Sequence, residues 1–114
     1  MTTPNVDVDF GALPEIRSYA ATTGNGHVTL GSSAYLELPA GVSTIMVGSQ
    51  QAALTVHLTT GAGNSYRYRS ISVDAGKTVS LTNVAVPEGE TRYLNIWALA
   101  PGDVGATIIT YPLA

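Results

Sequence analysis

The chain has 114 residues, a formal net charge of −3 and an isoelectric point near 5.0, a length that suits one domain with one hydrophobic core. Only 11% of its residues are charged, less than half of the roughly 25% usual in globular proteins, and its five basic residues are too few and too scattered for phosphate recognition, so nucleic acid is excluded as a partner. It has no cysteine, which excludes a disulfide framework, a thiolate nucleophile and a cysteine metal site.

The first residues, Met1-Thr2-Thr3-Pro4-Asn5-Val6-Asp7-Val8-Asp9, have neither the basic start nor the apolar run of a secretory signal. No apolar run approaches the ~18 residues of a membrane span. A soluble protein without a membrane partner is expected. Val6, Val8 and Phe10 alternate with Asp7 and Asp9, and Pro4 and Pro14 flank them. Residues 1–16 are therefore read as an extended arm, and 17–114 as the folded domain. An arm bearing Val6, Val8, Phe10 and Leu13 needs a surface to dock on, either a neighbouring subunit or the domain's own edge.

From there on, strand signals recur and helix signals are nearly absent. Val28 and Leu30, Leu36 and Leu38, Leu54, Val56 and Leu58, and Val79 and Leu81 alternate with polar residues, the pattern of strands with one buried face. Turn chemistry separates them: Thr23-Gly24-Asn25-Gly26, Pro39-Ala40-Gly41, Gly61-Ala62-Gly63-Asn64, Asp74-Ala75-Gly76, Pro87-Glu88-Gly89 and Pro101-Gly102-Asp103, where glycine supplies positive φ and proline presets the turn entry. Residues 42–47, 91–99 and 106–111 are apolar at both parities, as in strands covered on both faces. The expected fold is all-β: a single antiparallel β-sandwich, jelly-roll-like, of about eight strands.

No catalytic, cofactor or metal site is read from the residues. His27 and His57 each fall on the polar parity of a strand without an acidic neighbour or a second histidine at ligand spacing, so both are expected to face solvent. There is no Gly-x-Ser-x-Gly elbow, and Gly61-Ala62-Gly63-Asn64 reads as a hairpin turn, since no lysine or helix follows it as in a phosphate loop. Asp7 and Asp9 have the spacing that opens a calcium loop but lack its glycine and closing glutamate.

Two patches stand out instead. Alternation puts Tyr66 and Tyr68 on one face and Arg67 and Arg69 on the other, and the arginine parity continues into Ile71 and Val73. Either a bulge near Arg69 and Ser70 switches the parity, or the arginines lie beyond the core rim. Tyrosine and arginine are enriched at interfaces. Tyr93, Trp97 and Tyr111 form a second patch if their strands are neighbours, as an oligomer contact, a sugar platform or part of the core.

Ala34-Tyr35-Leu36-Glu37-Leu38-Pro39-Ala40-Gly41, the following Val42-Ser43-Thr44-Ile45-Met46-Val47, and the closing Ala106-Thr107-Ile108-Ile109-Thr110-Tyr111-Pro112 resemble the head decoration or cement proteins of tailed bacteriophages. That resemblance implies a small β-rich virion protein, made in the host cytoplasm, that trimerises on the capsid surface with the major capsid protein as partner. The expected function is non-enzymatic self-association and capsid decoration. The alternative is a carbohydrate-binding module using Tyr66, Tyr68, Tyr93 or Trp97.

Overall fold

Nine strands form two antiparallel sheets in a computed structural model that describes residues 11–63 and 66–113. In chain order they are β1 (Glu15–Thr23), β2 (Gly26–His27), β3 (Leu36–Glu37), β4 (Gly41–Ser49), β5 (Leu54–Thr59), β6 (Arg67–Val73), β7 (Lys77–Val86), β8 (Tyr93–Ala98) and β9 (Gly102–Tyr111). One sheet has the order β1-β9-β4-β7, and the other β2-β8-β5-β6 with β3 also on β8. Apart from the β5–β6 hairpin and the short β2 and β3, each connection crosses to the other sheet. The result is a jelly-roll β-sandwich.

The alternation that marks the strands also builds the core. Ile45, Val47, Val104, Ala106 and Ile108 line the inner face of the first sheet, and Leu54, Val56, Leu58, Leu94, Ile96 and Ala98 that of the second, all buried. Burying each of the valine, leucine and isoleucine side chains contributes about 1.5–3 kcal/mol relative to leaving it in water. Val28, Leu30 and Leu38 are equally buried, although they fall outside the short β2 and β3. The Val28 amide donates to the Ile96 carbonyl at 2.8 Å, so these residues reach the core from a loop tied to β8 and not from full strands.

The turns follow their chemistry. Lys77 N donates to Asp74 O and Glu90 N to Pro87 O, with Gly76 and Gly89 at φ near +80° in the third position, the type II geometry that glycine adopts without strain. The Gly61 segment closes the β5–β6 hairpin, where Thr60 N donates to Tyr66 O; Asn64 lies outside the described residues.

One polar pair enters the core. Ser43 on β4 and Thr110 on β9 are register partners, both buried, and their hydroxyls bond at 2.7 Å. Replacing Ser43 by Ala leaves the Thr110 hydroxyl without this partner, and we expect a loss of about 1–3 kcal/mol. Ser43→Ala/Thr110→Val removes both polar groups and is expected to recover most of that loss in urea unfolding. A double variant no more stable than Ser43→Ala would refute this account.

Candidate functional site

Strand order decides which outward side chains share a surface. β4 and β9 are adjacent at the centre of the first sheet, and they contain two of the three segments that are apolar at both parities. Their second parity therefore merges into one outer face. Its rows follow from the register: Ala20, Gly105, Gly48 and Thr78; Ser18, Thr107, Met46 and Ser80; Ile16, Ile109 and Thr44; and Tyr111, Val42 and Ala85. None of these side chains is charged. A shallow trough of about 560 Å³ crosses the face at Gly48 and Gly105, and the charged Lys77 and Asp103, the latter beside Thr22 in the next register row, line it as well. A Cβ at Gly105 would meet nothing within 4 Å, whereas one at Gly48 would come within 2.8 Å of the Lys77 carbonyl. Ile16 is 63% exposed at the β1 end.

β1 itself is an edge. It pairs with β9 over nine residues without a break, and among the described residues nothing pairs with its other side. Its only charges, Glu15 and Arg17, neutralise each other in an ion pair at its start. The remaining Ser18–Thr23 stretch lacks the lysine, proline or bulge with which sheet edges are usually protected.

The expected Tyr66–Arg69 patch lies on the opposite edge, on β6. The register places Arg69 opposite Leu58 and Arg67 opposite Thr59, so the bulge is at Tyr68, one residue before the position expected. It sends the arginines to opposite faces. Arg67 joins the outer face with Thr59, while Arg69 ends the core-facing row of Val73 and Ile71. Both readings of the arginines therefore hold in part: a bulge exists, and Arg69 lies at the core rim. There its Nη1 donates to the Thr82 carbonyl at 3.3 Å. That carbonyl is offered by a second bulge, on β7, where the pairing with β4 slips between Ser43 and Ile45 and Asn83 takes a φ of 56°.

Arg92, not singled out in the sequence, completes this rim. Its guanidinium lies 5.8 Å from the centre of the Tyr68 ring and is held by Glu90 Oε1 at 2.9 Å and the Thr91 carbonyl at 2.8 Å. Burial pushes the Tyr68 hydroxyl above its ordinary value, against the opposing influence of Arg92 and Arg69. Nothing local in the sequence pairs residue 68 with residue 92; β5 lies between their strands. Tyr66 is 53% exposed, its ring lying on Gly61 and Gly63.

Tyr93 and Trp97 share the outer face of β8, but Tyr111 belongs to the other sheet, so the three do not make one patch. Trp97 packs edge-on against His27, with ring centroids 4.6 Å apart, and Tyr35 lies 5.8 Å from the same imidazole. Beneath them Asn95 is only 1% exposed. Its Nδ2 donates to the Ala34 carbonyl at 2.8 Å and contacts His27 Nδ1 at 3.0 Å, and its Oδ1 has no partner among the described residues. Because a carbonyl accepts only from the amide nitrogen, His27 Nδ1 must accept the second bond, which fixes the proton of a neutral ring on Nε2.

His57 corrects the expectation of a solvent-facing histidine. It is 5% exposed, stands between Asn95 and Ser70 in the register, and its Nδ1 bonds Ser70 Oγ at 2.7 Å. The polar parity of β5 is covered by its neighbours on β6 and β8. His27, by contrast, is exposed. Val6, Val8 and Phe10 lie outside the described residues, and Leu13 is 90% exposed.

No protein-family model matches the chain, and no characterised protein matches it in sequence. A solved structure described as Bacillus endospore appendages forming a family of disulfide-linked pili aligns with 95% of this chain and 98% of its own, at 15% identity and a TM-score of 0.40. This chain has no cysteine.

Desolvation, then Arg67 and His27, hold His57 below the ordinary histidine value of 6.5. In the unfolded chain His57 takes up its proton first as pH falls, so the native state loses stability from about pH 6.5 downwards until its own histidine protonates. Urea unfolding of wild type and His57→Gln between pH 7.5 and 5 is expected to show a smaller acid loss in the variant. Parallel curves would contradict the assignment.

Proposed function

We propose that this domain is a non-enzymatic structural protein of a virion that self-associates, as a trimer, and decorates or cements a phage capsid. The observation that carries this reading is the apolar centre of the outer face of the β1-β9-β4-β7 sheet, where half-buried Val42, Met46, Ile109 and Tyr111 gather on two adjacent strands. Apolar side chains on the outside of two central strands are stabilised by a second covering layer. The low charge of the whole chain and the unprotected β1 edge act in the same direction. Jelly rolls are common to viral capsid and lectin domains, so the fold accommodates the role without assigning it.

A second reading, a carbohydrate-binding module, draws on the Tyr35, His27 and Trp97 rings grouped above Asn95, whose Oδ1 has no partner among the described residues. Trp97→Ala abolishing a glycan-array signal would favour it, and the absence of any wild-type signal would remove it.

Light scattering of the full chain tests the leading proposal. The wild type is expected to form a defined oligomer at micromolar concentration. Gly105→Lys places a charge on the outer face, where space exists for it, and is expected to give a folded monomer whose melting temperature, unlike that of the wild type, does not rise with protein concentration. A wild type that stays monomeric throughout the micromolar range would overturn the proposal.

A further inference from the structure

The sandwich is open along the side where β6 and β7, the outer strands of their sheets, face each other. A groove of about 440 Å³ runs there, lined by Leu58, Val84 and Ala85 together with Tyr68, Arg69, Asn83, Thr60 and Arg92. Leu58 and Val84 are buried and form an apolar floor. The rim is cationic. Arg69 and Arg92 stand on it, and Arg92 is also in an ion pair with Glu90. Arg69 makes one long bond to a carbonyl, and the rest of its five donors remain for a ligand.

A ligand for such a groove needs apolar side chains for the floor and carboxylates for the rim, in an extended conformation that can lie along a free strand edge. Residues 6–10 have this pattern: Val6, Val8 and Phe10 on one parity of a strand, Asp7 and Asp9 on the other. We propose that residues 6–10 of a second copy occupy the β6–β7 groove, with the valines and Phe10 over Leu58 and Val84 and the aspartates on Arg69 and Arg92.

The donor is a second copy because of where the segment is tethered. Glu15 starts β1, and the register row Glu15, Thr110, Ser43 and Val84 puts it three strand spacings, about 14 Å, from the groove's own β7 wall. Five residues span at most about 17 Å when fully extended. The same chain would have to stretch residues 11–14 tightly over its own sheet, but Leu13 is 90% exposed and Gly11 is exposed. A neighbouring copy faces no such restriction. The contact is heterologous, arm to groove, and closes into a ring when the rotation between copies allows it. It rests on the self-association proposed above and adds to it a defined donor segment and receptor groove.

Because the chain has no cysteine, Asp9→Cys/Thr60→Cys in the full chain gives an unambiguous reading after mild oxidation. Thr60 is exposed at the groove, so the substitution does not threaten folding. A ladder of covalent dimers and higher species on a non-reducing gel, absent from either single variant beyond dimer, is the expected result. A cross-linked monomer would mean that the segment fills its own groove, and no cross-link would mean that it does not enter the groove; either overturns the inference. As a second readout, Asp9→Lys and Arg69→Glu are each expected to weaken assembly at least tenfold, and a 1:1 mixture to recover part of it. Oligomers in light scattering without a ladder would refute the groove contact while leaving self-association intact.

Discussion

The side-by-side placement of β4 and β9 is the constraint on which the rest of the structure depends. A strand has two faces, and the sandwich core covers only one of them. β4 and β9 carry apolar side chains on both, and by hydrogen-bonding to each other they collect the surplus on a single outer surface. Had these strands been separated, Met46, Ile109, Val42 and Tyr111 would be scattered singly, as apolar residues are on most soluble proteins. Gathered together, and framed by the serines, threonines and alanine of β1 and β7, they make a face with little desolvation cost.

The two edges of the molecule are built differently. β1 is regular and nearly free of net charge. β6 and β7 are both bulged, at Tyr68 and Asn83, and each bulge changes what the rim presents. The Tyr68 bulge separates Arg67 from Arg69, and the Asn83 bulge offers the Thr82 carbonyl that receives Arg69. Bulges at edges commonly re-aim side chains in this way. The outcome is a cationic groove with an apolar floor on one side of the molecule and a plain strand edge on the other.

Much of the fold was legible because it depends on local alternation. Leu54, Val56 and Leu58, and Leu94, Ile96 and Ala98, point inwards as their spacing requires, and the turns at Gly76 and Gly89 follow from glycine. What was not legible depends on partners distant in sequence. The parity of residues 66–69 is set by the slip against β5, not by their own pattern. His57 is buried because Ser70 and Asn95 flank it across two strands, and Arg92 joins Tyr68 only in the folded chain. Tyr111 parts from Tyr93 and Trp97 because β8 and β9, consecutive in sequence, belong to different sheets. Of the candidate residues, Tyr66, Arg67, Tyr68 and Arg69 follow one another along one edge of the second sheet, but the topology decides which of them share a face.

Oxidation of Met46 tests the central claim most directly, since Met46 lies within the outer face and Met1 is the only other methionine. Dilute protein treated with peroxide is predicted to be oxidised readily at Met46, and protein at assembling concentration much more slowly, with Met1 as an internal control. Equal Met46 oxidation rates at the two concentrations, in a sample shown by light scattering to be assembled, would contradict a covered outer face.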